Sequence, residues 1–330
     1  MIITRTPYRL SLFGGGTDYN DWFEVRGGRI LAAAMQHYCY LSVRKLPPFF
    51  EHTIRVVYSK IESVIDVSQI EHPSVKGCLQ HLGITAGVEI HHDGDLPARS
   101  GIGSSSSFTV GLLQALHALD GRHITAEALA QEAIHVEQNI LGESVGIQDQ
   151  IMAAHGGLRV TDMGPGKAWD ARPVVVPPDY LLEFERHVLL GYSGISRFSG
   201  DHSKKKVANI RAGKTNHELE EISALADEAI GCFESTADFQ CLGTLLNRGW
   251  QLKRRLADGV STEWMDALYS SAVNSGAFGG KFMGAGGGGF FFFLAPPERH
   301  QAIKESLPNV RVWAPFKIER RGSQVLFFNE

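Results

Sequence analysis

Leu96-Pro97-Ala98-Arg99-Ser100-Gly101-Ile102-Gly103-Ser104-Ser105-Ser106-Ser107 decides how this 330-residue chain is read, because it runs without a break into helical spacing. From Ser106 to Leu119 the apolar residues Phe108, Leu112, Leu113, Leu116 and Leu119 recur as on one face of a helix. A Gly/Ser linker seldom leads straight into so periodic a segment. Glycines let the backbone approach an anion closely, successive N–H groups can point inward, and a helix N-terminus adds about half a positive charge. Serine hydroxyls can donate to phosphate oxygens or join a Mg2+ shell. The stretch therefore predicts a phosphate cradle opening a helix, built from Pro97, Gly101, Gly103, Ser104, Ser105, Ser106 and Ser107.

Two further glycine clusters, Phe13-Gly14-Gly15-Gly16-Thr17-Asp18 and Gly284-Ala285-Gly286-Gly287-Gly288-Gly289, lie near the two ends of the chain, so all three meet only in a folded site. Around them the composition is that of an ordinary globular protein, 43% hydrophobic and 21% charged. With 32 basic and 36 acidic side chains the net charge is −4, which supplies no global attraction to nucleic acid or an anionic membrane. The four cysteines are far apart and show no CxxC pairing, which argues against a zinc ribbon and a secreted disulfide framework. The first residues lack a signal-peptide apolar core, and no stretch approaches the roughly 18 apolar residues of a membrane helix. These features predict a cytoplasmic protein acting on small ligands.

Short β-branched or aromatic runs around 8–13, 29–34, 38–43 and 53–58 read as strands. A second helix is expected over 126–141 and a hairpin over 157–176. The proline-rich turn at Pro177-Pro178-Asp179 marks a boundary, after which 184–192 reads as the first strand of a second domain. A polar, basic stretch from Ser203 to Arg211 follows, then two or three helices through Leu256 and a helix near 262–274. Beyond them come a strand over 289–294, a closing helix over 297–307 and strands at 310–314 and 324–328, which complete the second layer. Strands, helices and strands in that order predict an α+β architecture with domains at 1–178 and 179–330.

Several competing motifs fail on context. Residues 208–215 satisfy a loosened P-loop pattern but follow polar residues instead of a buried strand. Gly142-Glu143-Ser144-Val145-Gly146 has the spacing of a nucleophile elbow, yet the residues before it look helical. Gly284, Gly286 and Gly289 fit GxGxxG, but a strand follows where a helix is required. His91-His92-Asp93 on a strand would point to opposite faces rather than share a metal.

Taken together, Pro7-Tyr8-Arg9-Leu10-Ser11-Leu12-Phe13-Gly14-Gly15-Gly16-Thr17-Asp18-Tyr19, the Gly/Ser loop, and Lys281-Phe282-Met283 with its glycines resemble the three motifs of the GHMP small-molecule kinases in order and spacing. The resemblance spans nearly the whole chain. It implies an N-terminal domain like ribosomal protein S5 domain 2, a ferredoxin-like C-terminal domain, and ATP with Mg2+ in the cleft between them. Within the family the first segment is most similar to the sugar-1-kinases acting on heptose 7-phosphate. Galactokinases carry Glu and His where Gly15 and Gly16 stand here, which argues against galactose. The partners implied are a sugar phosphate and ATP, with no nucleic acid or membrane and with room for a homodimer.

Carried over by residue, the resemblance makes Asp149, in Gly146-Ile147-Gln148-Asp149-Gln150, the candidate base, and Arg9 its cationic neighbour. Gly14, Gly15, Gly16, Thr17 and Asp18 would grip the sugar, with Gly286 and Gly287 approaching it from the second domain. Ser105 and Glu137 would hold Mg2+. Arg197, with His202, Lys204, Lys205 and Lys206, could receive a distal phosphate, although a solvated basic turn is the commoner explanation for the lysines.

Overall fold

The computed structural model describes residues 1–195, 200–284 and 286–329, without the side chains of 167 and 200–202. The predicted strand around 8–13 is the end of β1 (Ile2–Phe13), buried throughout its second half. After α1 (Asn20–Arg26), the two strands expected over 29–34 and 38–43 are one 18-residue strand, β2 (Gly28–Lys45). It stays continuous because β1 pairs along almost all of it, with a register shift between Pro7 and Tyr8 absorbing the irregularity where Gln36 turns outward. Strands β3 (Ile54–Val57) and β4 (Ile61–Val64), helix α2 (Pro73–His81) and strand β5 (Val88–Gly94) follow.

The glycine-serine loop then opens α3 (Ser104–Leu119), which packs on β1 and β2. Helix α4 (Ala126–His135), capped by the Thr125 side chain, continues as a π turn over Val136–Ile140, and α5 (Gln148–His155) carries Asp149 in its first turn. The expected hairpin is β6 (Leu158–Met163) with β7 (Trp169–Pro173). Long β2 serves two neighbours: its first half pairs with β6 and its second half with β5.

The strand expected over 184–192 is half helix. Pro178 opens α6 (Pro178–His187), and only β8 (Val188–Tyr192) is extended. Pro at N1 is pre-organised for a helix, and Tyr180, Leu181 and Phe184 form its apolar stripe. Next come α7 (Gly200–Arg211), α8 (Asn216–Glu234), α9 (Phe239–Lys253) and α10 (Glu263–Asn274). Strands β9 (Gly279–Phe282) and β10 (Phe290–Leu294), helix α11 (His300–Ser306) and strand β11 (Val312–Ala314) lead to β12 (Gln324–Phe328).

Among the described residues the strands form two sheets. The second is antiparallel, in the order β11-β8-β10-β9. The first has eight strands, and its edge is β12, antiparallel to β1, so this strand joins the first layer and not the second as its position in the chain suggested. Four consecutive phenylalanines in β10 bind the layers: Phe290 and Phe292 enter the core shared with the first sheet, while Phe291 and Phe293 enter the smaller core of the second.

Candidate active site

Where β1 ends, Arg9 is almost fully buried and reaches α5. Its Nε donates to Asp149 Oδ1 at 2.7 Å and its Nη2 to Asp149 Oδ2 at 2.9 Å, a bidentate pair, while Nη1 donates to the Gly101 carbonyl at 2.6 Å. The Asp149 side chain keeps 27% of its surface exposed, so it is oriented from one side and open on the other. The Arg9 amide also donates to the Ile102 carbonyl, tying the first motif to the second through backbone and side chain.

Asp18 is 8% exposed and accepts from the Gly16 amide at 2.9 Å. Burial, reinforced by the charge of Asp149, raises its pKa. A Cβ at Gly146 would stand 1.8 Å from Asp18 Oδ2, so the residue three before Asp149 has to be glycine for the two carboxylates to share the site. Gly14, Gly15 and Gly16 turn the chain there. Thr17 is buried within the loop, where its hydroxyl donates to the Gly14 carbonyl at 2.8 Å.

The second motif opens α3 with Gly103 in the left-handed region and no described side chain capping it, which leaves first-turn N–H groups for an anion. Ser105 is exposed in that turn. Ser104 Oγ accepts from the exposed Arg99 amide, while Ser106 and Ser107 face inward: Ser106 Oγ donates to Glu137 Oε2 at 2.9 Å and Ser107 Oγ donates to the Pro7 carbonyl. Pro97 lies on the exposed rim, accepting from Ser100 Oγ.

Glu137, on the π turn, is 1% exposed. Burial and the neighbouring Glu143 push its pKa up to about 7. Oε2 accepts from Ser106 and Gln150, while Oε1 is buried without a partner among the described residues. An unpaired buried carboxylate oxygen is a donor suited to Mg2+, whereas Ser105, the other expected ligand, is exposed in the first turn of α3 and makes no hydrogen bond with Glu137. No described group of three or more His, Cys, Asp or Glu surrounds it, so phosphate and water oxygens would supply the remaining ligands.

The third motif docks directly on the second. A Cβ on Gly284 would lie 2.6 Å from the Gly101 Cα, and one on Gly101 2.9 Å from the Met283 carbonyl. The Phe290 amide donates to the Ser100 carbonyl at 2.8 Å. Gly286 presses on the Val260 backbone and the Gly287 amide donates to its carbonyl, so these two glycines are engaged by the loop before α10.

Arg197 lies outside the described residues. Its expected companions divide: Lys204 and Lys205 are exposed, whereas Lys206 is buried and faces inward, not into a solvated turn. It interacts electrostatically with Lys253 at the end of α9, which no motif marks, and with Lys281 in β9, the first residue of the third motif. Lys206, Val207 and Ile210 share a buried stripe with Ser203, a helical spacing that was visible in the stretch read only as basic.

Residues 73–157 match the family model described as GHMP kinases N terminal domain, and 222–310 that described as GHMP kinases C terminal. The chain belongs to the GHMP kinases. It has their two-domain α+β fold and is an ATP-dependent phosphotransferase. It is 29% identical over 299 residues, 86% of either protein, to the D-glycero-alpha-D-manno-heptose 7-phosphate kinase of Campylobacter jejuni. It is 30% identical over 72% of its length, and 69% of the relative's, to the mevalonate kinase of Thermococcus sibiricus. A solved structure described as a D-glycero-D-manno-heptose 1-phosphate kinase from Bacteroides thetaiotaomicron superposes over the whole of both chains with a TM-score of 0.81 at 22% identity. No described helix is long and apolar enough to cross a membrane.

Proposed function

We propose that the protein transfers the γ-phosphoryl group of ATP to the anomeric hydroxyl of D-glycero-D-manno-heptose 7-phosphate, giving the 1,7-bisphosphate and ADP. The observation that carries this reading is the Arg9–Asp149 bidentate pair lying where the Gly14–Asp18 and Gly101–Ser107 loops meet. The likeness to the Campylobacter heptose kinase over most of both chains supports the choice of sugar. The acceptor oxygen forms a bond to the γ-phosphorus as the bond to ADP breaks, and its proton passes to Asp149. Arg9 orients that carboxylate and adds positive charge beside the transferring group. Asp18 accepts from sugar hydroxyls, and the Gly/Ser loop and the α3 N-terminus hold the nucleotide phosphates. Mg2+, held by Ser105 and Glu137, would neutralise charge on those phosphates. The product would feed synthesis of nucleotide-activated heptose for bacterial surface polysaccharide, in the cytoplasm.

The test is ADP release from Mg-ATP with heptose 7-phosphate, unphosphorylated heptose, mannose, galactose, fucose and mevalonate. Heptose 7-phosphate should dominate; a preference for galactose or fucose would replace the assigned sugar. ATP binding without turnover of any acceptor would favour a sugar-sensing role. In the same assay Asp149→Asn should lower kcat by about 10²- to 10⁴-fold while leaving ATP affinity within about twofold. Undiminished turnover would remove Asp149 from the base role.

A further inference from the structure

Three lysines from separate elements interact electrostatically near the first glycine loop: Lys206 from α7, Lys253 from α9 and Lys281 from β9. Lys281 is 8% exposed and donates through Nζ to the Leu12 carbonyl at 3.1 Å, immediately before the loop that begins at Phe13. Lys253 Nζ donates to the Phe282 carbonyl at 2.7 Å. Lys206 is 6% exposed and has no hydrogen bond or ion pair among the described residues. A narrow cleft lined by Leu12–Gly15 and by Ile222, Leu225, Leu246 and Gly249 includes Lys253 and Lys281, with Lys206 buried nearby in α7. All three ammonium groups lie within electrostatic reach of Asp18, and Lys253 and Lys281 also feel Arg9.

Charge is unbalanced here. Arg9 and the three lysines face two carboxylates, Asp18 and Asp149, and Asp149 is already engaged by Arg9. Burial, with mutual repulsion where the lysines meet, lowers all three lysine pKa values, Lys206 to about 8 and Lys281 to about 7. Surplus buried cations cost free energy unless an anion neutralises them. A phosphomonoester, with nearly two negative charges and three acceptor oxygens, suits three ammonium donors.

We infer that Lys206, Lys253 and Lys281 form the pocket for the phosphate group the acceptor sugar already carries, an inference that rests on the phosphorylated-acceptor reading above. The γ-phosphate of ATP has the same chemistry. The location favours the acceptor, because Lys253 and Lys281 line a cleft with Leu12–Gly15, the loop assigned to the sugar, whereas the nucleotide loop has its own cradle at the start of α3. The arrangement makes the enzyme selective for anionic sugars.

Lys206→Met and Lys253→Met should each raise the KM for heptose 7-phosphate by about 10- to 100-fold, the size of one charge-assisted contact. The KM for ATP and kcat/KM for unphosphorylated heptose should stay within about twofold. Lys206→Arg should recover part of the loss, and the exposed neighbours Lys204→Met and Lys205→Met should match the parent. Inorganic phosphate alone should raise the thermal midpoint of the parent protein and inhibit competitively against the sugar; both effects should vanish in Lys206→Met. A rise in KM for ATP, phosphate competing with ATP, or equal losses on phosphorylated and unphosphorylated sugar would overturn the inference. The two readings fail separately. Lysine-dependent phosphate binding without turnover of heptose 7-phosphate would sink the assigned substrate alone, while turnover of heptose 7-phosphate untouched by the lysine changes would sink the pocket alone.

Discussion

Glu137 shows how a single side chain couples the site to the stability of the fold. Its carboxyl is fully enclosed and its pKa is raised from the ordinary 4.5 to about 7, so between those values the folded protein holds a proton that the unfolded chain releases. Stability from this group is therefore complete below about pH 4.5 and is lost as the pH climbs through 7. At about 1.4 kcal/mol per pK unit the loss reaches about 3 kcal/mol. Glu137→Gln removes that dependence. Urea unfolding at pH 5 and pH 8, without nucleotide or Mg2+, should show the parent losing ground to the variant as the pH rises; parallel behaviour would show that Glu137 is ionised throughout. Asp149, Arg9 and Asp18, which the structure brings together, are candidates already from motif position, whereas Lys253 is not. It ends an ordinary amphipathic helix, and nothing local distinguishes a lysine that reaches solvent from one that turns inward.

At the scale of elements, glycine-to-glycine docking of two loops is what seats the second layer against the Gly101–Ser107 loop proposed to hold the nucleotide. Gly284→Ala places a Cβ where the Gly101 Cα already lies and asks an L residue to adopt a φ of 67°, a left-handed conformation costing about 1–2 kcal/mol by itself. The loops must part, so the ATP KM should rise at least about tenfold and the thermal midpoint should fall. A variant matching the parent on both would mean that this contact does not shape the cradle. Elements with strong periodicity are readable, including the helix read from Ser106, which begins at Ser104, the hairpin of β6 and β7, and the strand of phenylalanines. Those set by context were misread. The last turn of the Pro178 helix, from Phe184, reads as strand because Val188 to Leu190 extends its apolar run, and one long strand reads as two because local sequence does not reveal that a partner strand bridges the interruption.

Across the whole molecule, β10 makes the two layers one cooperative unit. Phe292 belongs to the large core and Phe291 and Phe293 to the small one, so truncating Phe292 opens a cavity at their junction. Phe292→Ala should cost about 3–5 kcal/mol and shift a single unfolding transition. Two transitions, one of them unmoved, would show that the layers unfold independently. Ion pairs across the boundary, Arg29 with Asp227 and Arg211 with Asp21, are too exposed to substitute for that packing. The chain by itself determined the three glycine loops, the carboxylate and guanidinium that flank them, and the α+β class. Those features rest on backbone conformation and residue chemistry written into short segments. Only the tertiary structure decided that β12 completes the first sheet, that Gly101 meets Gly284, and that Lys253 and Lys281, distant in the chain, line one cleft. Each depends on which surfaces bury one another, a property of the assembled layers and not of any local stretch.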